Sequence, residues 1–234
     1  MTNLIDSLPD AHRRVVDQVR HVLSERSKTW RVALVGGAVR DIFAERCPND
    51  LDFVVQGCKS PVLTDSDDHA LWVELAAAYG AERNGFGGCR TTIDSIQIDV
   101  WNVESNVLRP CVTIEELVGA DGGCGGSTFD ADCGAIDLAD PDELIDGGLA
   151  HVMKSGVFEL QRARGLGLPK TAIVLGRAAA IVHRYGWTIG PVLADFVRRH
   201  MKRDDALQRA EKYASDTGRA HLTAARIREL LCGA

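Results

Sequence analysis

Leu34-Val35-Gly36-Gly37-Ala38-Val39-Arg40-Asp41, followed nine residues after Asp41 by Asp50-Leu51-Asp52-Phe53, is the stretch that decides how this chain is read. A glycine pair at the end of an apolar strand removes side chains where backbone N–H groups must approach an anion. The helix expected from about Ala38 points its positive end the same way. In an extended segment residues two apart share a face, so Asp50 and Asp52 can present carboxylates to one pair of Mg²⁺ ions while Leu51 and Phe53 turn to the core. Glycine pair, short helix and two carboxylates on a new strand together make a device for holding a nucleoside triphosphate and its metal.

Outward from this stretch the pattern stays regular. Val15, Val16, Val19, Val22 and Leu23 fall at helical spacing, which predicts an amphipathic helix over 10–27 ahead of a strand at 32–35. A helix at 38–45 and a strand at 51–56 follow. Asp67 or Asp68 can cap a helix through Leu71, Trp72, Leu75 and Ala78 that ends at Gly80. The glycine-rich run Asn84-Gly85-Phe86-Gly87-Gly88 leads into a predicted hairpin, Arg90–Ile93, an Asp94-Ser95 turn and Ile96–Trp101. Its second strand puts Ile96, Ile98 and Val100 on one face and Gln97, Asp99 and Trp101 on the other. Asp99 therefore stands where a third carboxylate could join Asp50 and Asp52.

Residues 34–55 resemble motif A of the CCA-adding tRNA nucleotidyltransferases and bacterial poly(A) polymerases, whose head belongs to the polymerase-β-type nucleotidyltransferase superfamily. The likeness runs without a gap from the glycine pair through Val39-Arg40-Asp41 to Asp50-Leu51-Asp52. It implies an α+β fold: a polymerase-β-type head with a small mixed sheet and flanking helices over 1–148, then a short helical neck over 149–234. It also implies Asp50, Asp52 and Asp99 as catalytic metal ligands for two Mg²⁺ ions, an NTP as substrate, and Gly36, Gly37 and Arg40 around its β- and γ-phosphates. Asp41, in the first turn of the helix, suits the helix dipole.

After the hairpin the resemblance thins. Val112–Leu117 looks like the segment that introduces motif B, where the family places two arginines, an aspartate and an asparagine. Here a glycine-rich insertion, Gly119 to Gly126, intervenes, and Thr128-Phe129-Asp130 and Gly134-Ala135-Ile136 stand at those places. Only Asp130 keeps its residue type, as a nucleotide contact or an ordinary loop acid. Leu144–Leu149 is similar to the acidic-glycine turn before the neck. Arg177 to Trp187 resembles the neck helix after the motif whose acid and arginine read the incoming base. Thr171 and Val174 occupy the corresponding places, leaving Arg177 as a phosphate or base contact or a helix-surface cation. The resemblance covers most of the first 190 residues; the catalytic half looks intact and the nucleotide-selecting half does not.

Composition bounds the rest. With 234 residues and 45% hydrophobic content the chain can bury a sizeable core. No apolar run approaches a membrane span and the amino terminus lacks a secretory h-region, which places the protein in the cytoplasm. Seven cysteines without a C-x-x-C pair read as reduced thiols. The net charge of −6 argues against a protein that coats nucleic acid uniformly. The last quarter is nonetheless basic, with Arg198, Arg199, Lys202, Arg203, Arg209 and Lys212 forming either an RNA-facing surface or a solvated helix face. Ile173, Leu175, Val192 and Leu193 are expected to be exposed on the neck, where they could pair with a second copy.

The expectation is therefore a nucleotidyltransferase that moves an NMP from an NTP to an acceptor hydroxyl, first of all a tRNA or other RNA 3′ end. Two other classes stay open. A toxin-like, phage-defence or antibiotic-modifying enzyme would nucleotidylate a protein or small molecule with the same head. A non-catalytic nucleotide-binding module would need none of the three carboxylates.

Overall fold

Asp94 and Ser95 both adopt positive φ, +50° and +67°, and close a two-residue hairpin turn. That left-handed pair matches the twist of the flanking strands. It fixes the register by arithmetic: Ile93 opposes Ile96, and Arg90 opposes Asp99. The computed structural model describes residues 3–24, 30–57, 79–83, 88–105, 111–120, 126–161 and 171–233. The expected helix through Leu71, most of the Asn84–Gly88 run and the centre of the Gly119–Gly126 insertion lie outside them, as do Cys58 and Cys124.

The chain divides into two compact units, one of residues 1–127 and 131–149, the other of residues 128–130 and 150–234. In the first unit helix α1 (Asp10–Ser24) buries Val15, Val16, Val19 and Leu23. Strand β1 (Arg31–Val35) leads through Gly36 into helix α2 (Gly37–Phe43), and β2 (Asp50–Gln56) returns antiparallel to β1. Then come β3 (Glu82–Arg83), β4 (Cys89–Ile93), β5 (Ile96–Asn102), helix α3 (Ile114–Val118), β6 (Gly134–Asp137) and β7 (Leu144–Asp146). Among the described residues these strands form one seven-stranded sheet in the order β3-β4-β5-β2-β1-β6-β7. It is mixed, because β2 and β5 run parallel while the other neighbours are antiparallel.

The two faces differ in chemistry. Leu51, Phe53, Val55, Ile96, Ile98 and Val100 are buried on one face. On the other, Ala33, Val35, Val54 and Ala135 pack with Val103, Cys111, Ile114, Leu117 and Val118, and with Trp101 and Ile145. Helix α3 is fixed over this second face by its ends. Thr113 accepts from the Glu116 N–H at 3.1 Å, Glu116 accepts from the Val112 N–H at 2.7 Å, and Gly119 closes the helix in the left-handed region. Gln56 Oε1 accepts the Ile114 N–H at 3.0 Å, so the helix begins over the carboxyl end of β2. The amino end of β2, with Asp50 and Asp52, shares the face but stands at the other end of the strand.

In the second unit, after α4 (Leu149–Ser155), strand β8 (Val157–Phe158) pairs parallel with β9 (Thr188–Ile189). Helices α5 (Thr171–Tyr185), α6 (Pro191–His200), α7 (Asp204–Asp216) and α8 (Ala224–Cys232) complete it. Gly176 of α5 lets α7 come close: a Cβ there would stand 2.8 Å from Tyr213 Cδ1 and 3.2 Å from the Ala210 carbonyl. Leu175 and Leu193 are fully buried, which corrects the expectation that they form an exposed pairing face. The helices of this unit consume that apolar surface themselves, and Ile173 and Val192 are half-buried. Among the described residues no helix is long and apolar enough to cross a membrane.

Candidate active site

The strand pairing brings the three expected carboxylates onto one face. Asp52 is the register partner of Asp99 across the parallel β2–β5 pair, and Asp50 is that of Gln97. Asp50 and Asp52 alternate with buried Leu51 and Phe53 and are themselves half-buried. Asp99 is more deeply placed, its side chain only 8% exposed. Across the antiparallel β1–β2 pair, Val35 opposes Asp52, so the chain leaves β1 and enters Gly36 beside that carboxylate.

Gly36 has φ +67° and ψ −130°, a conformation that side chains with a Cβ avoid, and it caps α2. A Cβ there would lie 3.8 Å from Asp52 Oδ2, so the turn runs directly past the carboxylate. The Gly36 N–H does not point to an outside anion as expected: it donates to the Gly134 carbonyl of β6 at 3.3 Å. The first-turn N–H groups of α2, from Gly37 to Val39, lack acceptors in the helix's own ladder.

Two partners were not foreseen. Arg90, opposite Asp99, grips that carboxylate from Nε at 3.0 and 3.1 Å and from Nη2 at 2.8 Å. Gln97 Nε2 adds a contact to the same carboxylate at 3.3 Å. The Asp99 hydrogen bonds hold the Arg90 guanidinium above its ordinary range against partial burial, and the charges of Asp99, Asp52 and Asp50 add to the effect. All three carboxylates thus act on one cation. Arg40, expected at the triphosphate, forms an ion pair with buried Asp132. Both residues were within reach of the sequence. The two-residue turn at 94–95 sets Arg90 against Asp99, and Asp132 lies two residues beyond Asp130.

Asp130 and Arg177 belong to the second unit. Asp130 Oδ1 accepts the Glu159 N–H at 2.7 Å, and Phe129 bridges to Leu160. Glu159 in turn accepts the N–H groups of Val192 and Leu193 at the start of α6. Arg177 stands half-buried on α5. Much of the basic surface is paired locally: Arg198 and Arg199 with Asp195, Arg203 and Arg209 with Asp205, Lys212 with Asp216. Four of these five pairs span three or four residues on one helix, the pattern of a solvated helix face.

Whether a divalent cation suits the site can be judged from its donors. Three hard carboxylate side chains share a face, and carboxylate oxygen is the donor type that Mg²⁺ takes. Among the described residues, no three acidic, histidine or cysteine side chains are gathered closely enough to hold an ion as they stand.

No protein-family model and no curated protein matches the chain. Solved structures do. The chain has the fold of the CCA-adding enzymes. It superposes on the Thermotoga maritima CCA-adding enzyme complexed with tRNA with a TM-score of 0.58 at 17% identity, covering 92% of this chain and 53% of that one. A tRNA-processing enzyme with CTP gives 0.57 at 22% identity, over 91% and 54%. A CCA-adding enzyme with CTP gives 0.58 at 18%, over 89% and 47%. The chain therefore spans about half the length of the structures it matches.

Proposed function

We propose that the protein is a metal-dependent nucleotidyltransferase that moves a nucleoside monophosphate from an NTP to an acceptor hydroxyl, with the 3′ end of a tRNA or other RNA as acceptor. The observation that carries this reading is the meeting of Asp50, Asp52 and Asp99 on one sheet face, beside the Gly36 turn. The fold shared with CCA-adding enzymes supports it, since those proteins have been seen with CTP, ATP and tRNA.

Asp50 and Asp52, joined by Asp99, would hold the metal. When bound, Mg²⁺ supplies positive charge to both the attacking and the leaving oxygen of an in-line phosphoryl transfer. The first-turn amides of α2 would bind the phosphate chain, and the bare Gly36–Gly37 backbone would let it approach beside Asp52. Arg40, anchored by Asp132, would add positive charge beside the same anion. Glycines and fixed donors keep the triphosphate oriented so that the α-phosphorus faces the acceptor.

Incubation of the protein with each α-labelled NTP, Mg²⁺ and total tRNA tests the proposal. Label at an RNA 3′ end is expected, and it should vanish with Asp52→Asn. Label on protein or on a small molecule would move the acceptor to another class, and no label from any NTP would overturn the enzymatic reading.

A further inference from the structure

We propose that Arg90 is a positioning residue: an internal cation that competes with divalent metal for Asp99, so that the metal centre completes itself only when a nucleotide triphosphate draws the guanidinium away. This rests on the metal centre proposed above and adds an order of binding to it.

Arg90 and Asp99 are direct cross-strand partners, and three contacts of 2.8–3.1 Å engage both carboxylate oxygens. The guanidinium takes lone pairs on both oxygens and repels a second cation there, so it competes with a divalent ion for Asp99. The two partners differ in freedom. The Asp99 side chain is 8% exposed and fixed in the sheet, whereas that of Arg90 is 50% exposed and carries a long flexible stem. Arg90 is the partner that can leave.

Charge supplies the coupling. The three carboxylates favour a cation on their face, and Arg90 opposes a second one there and occupies the deepest of the three donors. A triphosphate arriving beside Gly36 offers the guanidinium an alternative planar, bidentate anionic partner. Once Arg90 turns to phosphate, Asp99 is released toward the metal. Linkage then requires nucleotide and metal to strengthen each other's binding by the same factor.

Mn²⁺ titrations followed by the electron paramagnetic resonance of the free ion test this, with and without α,β-methylene ATP or CTP. For the wild type, the analogue should tighten Mn²⁺ binding roughly tenfold. Arg90→Gln should bind Mn²⁺ alone roughly tenfold more tightly than wild type, the scale of one removed charge, and gain little more from nucleotide. Arg90→Lys, which keeps the charge but not the paired hydrogen bonds, should fall between. Mn²⁺ affinity unchanged or weakened in both variants would overturn the inference while leaving the metal centre standing. Asp52→Asn separates the two ideas: it should lose Mn²⁺ under all conditions, and wild-type affinity there would overturn the metal centre and this inference together.

Discussion

Asp52 of β2 and Asp99 of β5 are register partners across the parallel strand pair of the sheet. Parallel neighbours in register present side chains to the same face, so a local Asp-x-Asp comes to share its face with a third carboxylate 47 residues further along the sequence. The rest of the site is arranged around that pairing, with α3 covering the far end of the face and Gly36 passing the near end.

Asp50→Asn and Asp52→Asn are expected to lower nucleotide transfer on the order of a hundredfold or more, because each removes a charged carboxylate from the proposed metal site. Both side chains are half-buried on a face edge, so thermal melting should stay close to wild type. Steady-state transfer assays beside calorimetry check the separation; a variant that melts normally and transfers normally would remove that residue from the site.

Arg40 and Asp132 should behave as a unit of the fold as well as of the site. Their side chains are 12% and 3% exposed. Asp132→Ala removes a buried carboxylate partner of a largely buried cation and is expected to cost about 3 kcal/mol. A double replacement by Met and Leu should cost much less than the sum of the single changes, which denaturant unfolding of the four proteins will measure.

Gly36→Ala and Gly37→Ala should differ sharply. The first forces a Cβ into φ +67° and is expected to cost about 1–3 kcal/mol from backbone strain, its Cβ meeting Asp52 Oδ2 only at an ordinary 3.8 Å. The second meets only Arg40 Nη2 at 3.4 Å, and a side-chain end can shift. Melting temperatures should rank wild type, Gly37→Ala, Gly36→Ala in falling order.

Burial, with the Asp99 charge adding to it, pushes the Cys89 thiol from its ordinary 9.0 up to about 12. In native protein a mild alkylating reagent should therefore label exposed Cys47 and Cys232 and spare Cys89, as read by peptide mass mapping. The sign for stability follows from linkage. Between 9.0 and about 12 the unfolded chain has released the proton that the folded one retains, so stability falls as pH rises through this window. Cys89→Ala should flatten that alkaline loss in unfolding titrations.

Much of this was legible in the sequence because it is local. Alternation placed Asp50 and Asp52 opposite Leu51 and Phe53, and turn chemistry at 94–95 gave the hairpin. The same turn also implies the Arg90–Asp99 opposition, which reading strand faces one at a time overlooked. Asp132 was hidden by the nearer Asp130: both are acids in one short segment, and only tertiary packing shows that Asp132 meets Arg40 while Asp130 meets the Glu159 amide. Exposure was misjudged for Leu175 and Leu193, since a helix periodicity says which face is apolar but not which partner covers it. The Gly36 N–H likewise went to Gly134 because β6 joins β1, a pairing that spans about a hundred residues.

In the proposed site Asp50 and Asp52, with Asp99, hold the metal that serves nucleotidyl transfer. Anomalous diffraction from a crystal grown with Mn²⁺ and a nonhydrolysable NTP tests it most directly. An anomalous peak coordinated by carboxylate oxygens of Asp50 and Asp52 is expected, with phosphate oxygens on its other side and Arg90 turned off Asp99. Nucleotide bound with no Mn²⁺ at these carboxylates, or Mn²⁺ held elsewhere in the molecule, would contradict it.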